Sequence, residues 1–425
     1  MVEYREIRLG DYIKDIASGP FGSNLKVECF VPFGFPIIDG ANLMGTRVTD
    51  NITKYVTEEK ARSLARSIAK RHDVIVTISG TLGQISYIPL NSKFSEYLCS
   101  QRQFRVTFDE KSIDVEYLVY YFHTKQGQKK ILSFANYVGV PALAQPLPNF
   151  KGITINIPPI DYQNKISSFI GFINDKIALN TRMNAELEAM AKQLYDYWFV
   201  QFDFPDENGN PYRSSGGKMV YNSTLKRAIP AGWEVKEISD ITEIKSGYPF
   251  KSENMNEYKG KYKIVTIRNV QENNLDLSNI SYTDIIPDNI KSYCILKEKD
   301  ILISLTGNVG RTCLVYENGL LLNQRVGLVQ PKNSNVPWCY SIFKDKSIRT
   351  AVENWANGCA QANVSPLDIE RLKIPVPSND ILQYFDKSVK PMIERQIKIA
   401  KQNNYLTHLR DSLLPMLMNG QVTVE

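Results

Sequence analysis

The chain has 425 residues, enough for about two or three domains, each with its own core. Its 43% hydrophobic and 23% charged content is ordinary for a globular protein, and a net charge of +6 favours an acidic partner such as DNA only where cations cluster locally. Six scattered cysteines (Cys29, Cys99, Cys294, Cys313, Cys339, Cys359) with no Cys-x-x-Cys pair, and only three histidines, argue against a zinc site. No apolar signal segment opens the chain, and no run approaches the roughly 18 apolar residues of a membrane span, so a cytoplasmic protein with free thiols and no membrane attachment is expected.

Residues 1–158 read as a mixed α/β domain. Short β-rich runs (Phe35 to Ile38, Val74 to Ile78, Ile85 to Ile88, Phe104 to Phe108) are separated by turn residues. Glu58 to Arg71 is expected to be a helix with Ala61, Leu64, Ala65 and Ile68 on its apolar face and Arg62, Arg66 and Lys70 on another. Asp114 to Ile131 is a second expected helix, with Tyr117, Tyr120, Tyr121 and Phe122 as core. Pro158-Pro159 closes the domain and can open a helix.

Residues 159–200 form the most regular stretch. Ile166, Ile170, Ile173, Ile177, Asn180, Asn184, Leu187, Ala191, Leu194 and Trp198 recur at alternating steps of four and three, the seam of a coiled coil. Some 40 residues at about 1.5 Å each would make a rod of about 60 Å. Tyr197, Trp198 and Phe199 read as core where helix meets domain. Val200 to Phe204 alternates apolar and polar as a strand would, and residues 201–230 form a linker with Gly209, Gly216 and Gly217 in a polar loop.

A second domain follows over 231–377, then a helix over 378–425 with the same alternation: Leu382, Phe385, Val389, Met392, Gln396, Ile399, Asn403, Leu406, Arg410, Leu413, Leu417. Pro391 should kink it and Gly420 should stop it. The halves repeat. Asp73-Val-Ile-Val-Thr-Ile-Ser-Gly-Thr-Leu-Gly83 resembles Asp300-Ile-Leu-Ile-Ser-Leu-Thr-Gly-Asn-Val-Gly310, and Gln101-Arg102 is echoed by Gln324-Arg325. The expected architecture is α/β: two mixed α/β domains separated by a long antiparallel two-helix coiled coil, related by a pseudo-two-fold repeat. Asn180 should then lie near Ile399 and Asn184 near Gln396. The polar seam positions would fix the register at some cost in stability.

Two unlike domains on a rigid spacer suit a reader of two half-sites on duplex DNA, and a rod of this length spans about 15 base pairs. Candidate contacts are the Gly80 and Gly307 turns with Thr81, Gln84, Asn308 and Arg311; the cations Arg62, Arg66 and Lys70; the recurring Gln101-Arg102 and Gln324-Arg325; and the loop residues Lys26, Arg47, Lys251, Arg268 and Asn269. Each has a plainer reading, as a tight hairpin, a solvated face or an internal hydrogen bond. Because Gln-Arg recurs while half-sites should differ, its role is read as phosphate positioning or internal bonding rather than base reading. Catalytic signatures are missing: Gly217-Lys218 lacks the rest of a phosphate loop, and Asn156-Ile-Pro-Pro159 falls short of an adenine-methyltransferase motif.

Asn184-Ala-Glu-Leu-Glu-Ala-Met-Ala-Lys-Gln-Leu-Tyr-Asp-Tyr-Trp-Phe-Val-Gln-Phe-Asp-Phe-Pro205 resembles the central conserved region of Type I restriction-modification specificity subunits. So do Asn210 to Val220 and Ile229-Pro-Ala-Gly-Trp-Glu-Val235, and Leu413 to Gly420 is similar to that family's distal helix end. The resemblance implies a non-catalytic subunit whose two target recognition domains each read half of a split, asymmetric DNA site. Its helices would set the spacer and dock two methyltransferase subunits, which methylate adenine, and motor-nuclease subunits would join them. No cofactor is expected on this chain; S-adenosylmethionine, ATP and Mg are expected on the partner subunits. The competing reading is a coiled-coil adaptor between proteins, without sequence-specific DNA recognition.

Overall fold

The computed structural model describes residues 2–333, 335–356 and 363–424; Cys359 lies outside them. The chain divides into two compact units, Met1–Lys176 with Thr407–Glu425, and Ile177–Leu406.

In the first unit the strands used below are β1 (Arg5–Arg8), β2 (Ile13–Ser18), β3 (Phe35–Ile38), β4 (Ile68–Lys70), β5 (Val74–Thr77), β6 (Ile85–Tyr87), β7 (Glu96–Cys99), β8 (Gln103–Phe108) and β9 (Thr154–Ile157). A four-stranded antiparallel sheet has the order β2-β8-β5-β6, β3 runs parallel to β7, and β1 closes antiparallel on β9. β5 is buried along its whole length, with Val74, Ile75 and Val76 inaccessible to solvent. That burial on both faces explains its near-continuous apolar sequence.

Two expected helices are shorter than their sequence pattern. Glu58–Ser63 is helical, capped by the Thr57 hydroxyl, but Ala65–Ser67 is a 3-10 turn and Ile68–Lys70 pairs with β7 as β4. Arg62, Arg66 and Lys70 therefore share no helical face. Arg62 pairs with Glu58 at 2.8 Å and Glu96 at 2.7 Å, and Lys70 faces Glu96 at 3.8 Å. The stretch from Asp114 splits into α1 (Val115–Phe122) and α2 (Lys125–Leu132), because Thr124 caps the second helix at the Gly127 amide. Tyr117, Tyr120, Tyr121 and Phe122 are buried, as the sequence suggests.

The second unit repeats the plan. Its strands are β10 (Glu234–Glu237), β11 (Thr242–Ser246), β12 (Tyr262–Val265), β13 (Ile301–Ser304), β14 (Thr312–Leu314), β15 (Leu321–Leu322), β16 (Val326–Pro331) and β17 (Lys373–Val376). The four-stranded sheet runs β11-β16-β13-β14, β12 is parallel to β15, and β10 closes on β17. The strand order matches the first unit member for member.

Two long helices serve both units: α3 (Ile160–Tyr195), and Asn379–Met418, which continues as helix through Pro391. Within the first unit Arg410 Nη1 donates to Asn174 Oδ1 at 3.2 Å, and the Val424 amide donates to the Tyr162 hydroxyl at 2.9 Å. Ile166 and Ile170 share a core with Leu414 and Leu417. Within the second unit the buried Asn180 donates to Gln402 Oε1 at 2.9 Å and to Asn403 Oδ1 at 2.8 Å, while Asn184 and Gln396 exchange amide–carbonyl contacts at 3.4 Å. Rising numbers meet falling ones in each unit, so the pairing there is antiparallel. Asn184 meets Gln396 as expected. The bonds of Asn180 go to Gln402 and Asn403, within one turn of Ile399, because they offer carboxamides and Ile399 offers none.

The second helix buries more than a two-position seam. Ile393 and Ile397, off the expected strip, are each 3% exposed in the core of the second unit, beside Val389 and Phe385. Fully burying such a side chain contributes about 1.5–3 kcal/mol, so this face matters as much as the seam. The strand expected at Val200 to Phe204 does not form. Asp196–Val200 is a π-helical turn, Phe202 has a φ of 66°, and Phe202 and Phe204 pack on Trp233 at 5.3 and 5.2 Å. The apolar–polar alternation there reflects aromatic packing. Trp198 and Phe199 are buried, whereas Tyr197 is 38% exposed and is not core.

Candidate nucleic-acid interface

One end of each four-stranded sheet gathers the turns that carried the sequence signals. In the first unit the Ile78 amide, just beyond β5, donates to the Arg102 carbonyl at 2.7 Å, and the Ile78 carbonyl accepts from the Leu143 amide at 2.8 Å. In the second unit the Leu305 amide donates to the Arg325 carbonyl at 3.1 Å, and its carbonyl accepts from the Val364 amide at 3.0 Å. Thr77 donates to Gln84 as Ser304 donates to Arg311, at 3.0 and 2.9 Å. The main chain thus makes Arg102 the counterpart of Arg325, and Gln84 that of Arg311.

The turns between β5 and β6, and between β13 and β14, need left-handed backbone at both ends: Gly80 and Gly83 have φ of 93° and 85°, Gly307 and Gly310 of 70° and 83°. Glycine takes these angles without the Cβ strain that other residues suffer. Thr81 and Asn308 project from the two turns and are exposed. Gln101, Arg102, Gln324 and Arg325 are exposed beside them, as are Lys26 and Lys251 in the loops after β2 and β11. Arg102 Nη1 lies over Gly80, 3.6 Å from where a Cβ would stand.

The other candidates are engaged within their own unit. Gln84 Nε2 donates to the Gly40 carbonyl at 3.0 Å and its Oε1 accepts from the Thr77 hydroxyl at 3.0 Å. Arg311 Nη1 donates to Gln271 at 2.7 Å. Arg66 is exposed, but its carbonyl accepts from Arg105 at 2.9 Å on a different part of the sheet. Arg268 faces Glu257 at 3.5 Å on the surface.

Two candidates are tied into the fold, Asn269 by full burial and Arg47 by its partners. Asn269 is 2% exposed, and its carboxamide accepts from the Thr266 amide at 2.8 Å and donates to the Asp276 carbonyl at 2.8 Å. Asn42 does the same work in the first unit, accepting from the Asp39 amide at 3.0 Å and donating to the Thr49 carbonyl at 3.3 Å. Both are internal braces of a loop, because a buried carboxamide must be satisfied and the surrounding main chain supplies the partners. Arg47 is likewise a packing residue: it pairs with Asp175 on α3, donates to the Tyr87 hydroxyl at 2.6 Å and faces Glu116 at 4.0 Å. Burial opposes its charge, yet the bonds to Asp175 and Tyr87 hold its pKa above the ordinary arginine value.

One feature of this edge went unnoticed in the sequence. The loop carrying Tyr137, Val138 and Val140 is tied to the Gly80 turn by the bond from the Gly80 amide to the Pro141 carbonyl at 2.9 Å, yet those side chains are 65%, 87% and 68% exposed. The run Tyr-Val-Gly-Val-Pro was the available signal, an apolar string around a turn residue. Such a cluster on a surface marks a contact site more often than a chance exposure.

Among the described residues nothing on this edge resembles a reaction centre. Among the described residues no group of three or more His, Cys, Asp or Glu could hold a metal ion, and no helix is long and apolar enough to cross a membrane. Cys29, Cys99, Cys294, Cys313 and Cys339 are free thiols.

A duplicated sheet presenting exposed, cation-bearing turns at one end defines a recognition module present twice in one chain. The family model described as Type I restriction modification DNA specificity domain matches residues 34–189 and again 230–403, and the chain belongs to that family. It is 25% identical over 382 residues to the Type I restriction enzyme MjaIX specificity subunit of Methanocaldococcus jannaschii, covering 87% of this chain and 82% of that one. It is 22% identical over 326 residues to the HindI specificity subunit of Haemophilus influenzae, covering 64% of this chain and 70% of the other. The solved S subunit of a Type I restriction-modification system from M. genitalium shares the fold, with a TM-score of 0.59 at 15% identity over 98% of this chain and 96% of that one.

Proposed function

We propose that this chain is the DNA-specificity subunit of a Type I restriction-modification complex in which each mixed α/β domain reads one half of a split, asymmetric site. One observation carries the reading: the two sheets share strand order and main-chain bonding, from Ile78 and Leu305 to Arg102 and Arg325, while the side chains displayed beside that scaffold differ. Thr81 stands where Asn308 stands, and the loops after β2 and β11 differ in sequence and length. A shared frame with different fingers suits two different half-sites better than one repeated site.

The two domains form a pseudo-repeat, and the helices form the coiled-coil spacer between them. The antiparallel pairs found within each unit, Asn174 with Arg410 and Asn180 with Asn403, support this. The chain catalyses nothing itself. Two methyltransferase subunits dock on the helices and methylate adenine with S-adenosylmethionine, and motor-nuclease subunits supply the ATP- and Mg-dependent cleavage.

Single-molecule methylation mapping of the host, with and without this chain, tests the reading. The expected result is a two-part motif, adenine-methylated in both parts, that disappears when the chain is deleted and returns when it is restored. A methylation pattern indifferent to the chain would leave the adaptor reading standing instead.

A further inference from the structure

The geometry points to Arg102 and Arg325 as a matched pair of backbone-phosphate anchors, one per recognition domain, that seat each domain on its half-site without reading bases. This inference rests on the DNA-reading function proposed above.

Three observations combine. The first is equivalence: each arginine follows a glutamine in the turn entering the sheet's second strand, and each carbonyl accepts the amide of the residue that follows β5 or β13. The arginine stem is therefore launched from the same point of the sheet in both units. The second is availability. Both side chains are exposed, and among the described residues no ion pair involves either guanidinium. Arg105, two strand positions beyond Gln103, is the contrast: it is 8% exposed and pairs with Asp15 at 2.5 Å. The third is setting. Each arginine's carbonyl is bonded at the foot of a Gly-x-x-Gly turn whose first glycine carries no side chain to keep a phosphate strand away, and in the first unit Arg102 Nη1 lies over Gly80.

The ligand class follows from the repetition. Base edges differ between half-sites, whereas the phosphodiester is the same at every step. A residue kept in the same place in both domains, while Thr81 and Asn308 beside it are not, matches the invariant component of DNA. Arginine suits it, since the planar guanidinium presents paired donors to phosphate oxygens and never loses its charge.

The experiment uses the full chain assembled with the host's methyltransferase subunits, carrying Arg102→Ala, Arg325→Ala, both, or Arg102→Lys. Binding to cognate and scrambled duplexes is measured across a salt series, and the methylated motif is mapped in cells. Each alanine should weaken cognate and scrambled binding by similar factors and reduce the slope of log affinity against log salt by about one, with the double variant losing about two. The lysine variant should keep the slope, and the motif should be unchanged in all four. Relaxation of one base within a half-site would mean that the arginine reads a base and would overturn the inference, as would unchanged affinity and slope. If the unsubstituted complex shows no preference between the duplexes, the DNA-reading function itself falls, and the anchors with it.

Discussion

The Asn180 carboxamide, 1% exposed in the helix pair, donates to Asn403 Oδ1 at 2.8 Å. Asn403 in turn reaches the Ile177 carbonyl at 3.5 Å and the Thr181 hydroxyl at 3.3 Å. A polar pair inside an apolar seam costs stability if broken from one side and little if both members become apolar. Asn403→Leu leaves the buried Asn180 with one of its two donors unmet and should cost about 1–3 kcal/mol. The Asn180→Leu, Asn403→Leu double variant should be closer to wild type. Urea unfolding of the three proteins checks the order.

Lys344 and Glu188 form a buried ion pair between the end of a domain helix and α3, with side chains 9% and 14% exposed; Glu188 also accepts from Gln396 Nε2 at 2.9 Å. Burial lowers the Lys344 pKa to about 7, and Glu188 is the carboxylate placed against it. Lys344→Met strands the Glu188 charge and should cost about 3–5 kcal/mol, whereas replacing both by methionine should recover most of the loss. A double-variant loss equal to the sum of the Lys344→Met and Glu188→Met losses would show that the two side chains are not energetically coupled.

Asp386 accepts the Trp338 amide at 3.2 Å at the start of the Val336–Ile342 helix. Burial raises its pKa from 3.8 to about 6, against the pull of that amide and of Lys390. An acid bound to its proton more tightly when folded contributes stability that is complete below the unfolded value and lost as pH rises through the folded one. Between about pH 4 and pH 7 wild type should therefore lose stability relative to Asp386→Asn. Melting temperatures of both proteins across that range measure the difference.

The long helices, the repeat and the turn glycines were readable because each leaves a local or periodic mark. The seam from Ile166 to Trp198 states its period, and Gly80 and Gly307 mark positions that demand left-handed backbone. What was not readable depends on distant partners. Nothing within Glu58 to Arg71 announces that Ile68–Lys70 is claimed by Glu96–Leu98 as a strand. Asn269 looks like a surface reader until the Asp276 carbonyl, folded back by a turn, takes its amide. Arg47 looks free until Asp175, far along the chain, meets it. Val200 to Phe204 imitates a strand because Trp233 buries alternate aromatics. For the site, sequence supplied the recurring Gln-Arg and the paired turns, but which of the other cations are engaged within the fold required the coordinates.

If the helix pair sets the spacer, lengthening both helices in phase should lengthen the gap and nothing else. One heptad inserted in α3 between Asn180 and Asn184, with a matching heptad between Gln396 and Asn403, preserves the seam and adds about 10 Å. The methylated motif should gain about three unread base pairs with both half-sites intact. An altered half-site would count against the spacer role. Insertion at Ala191 is a poorer choice, because that residue is 7% exposed in the core of the second unit.

The most direct measurement is a domain exchange. Residues 1–158 are replaced by the corresponding domain of a relative with a different target, and the methylated motif is mapped in cells expressing the hybrid with the host methyltransferase subunits. One half of the motif should change to that of the donor, with the other half retained and the spacer unchanged. A motif that stays whole, or one that changes in both halves, would contradict the division of reading between the two domains.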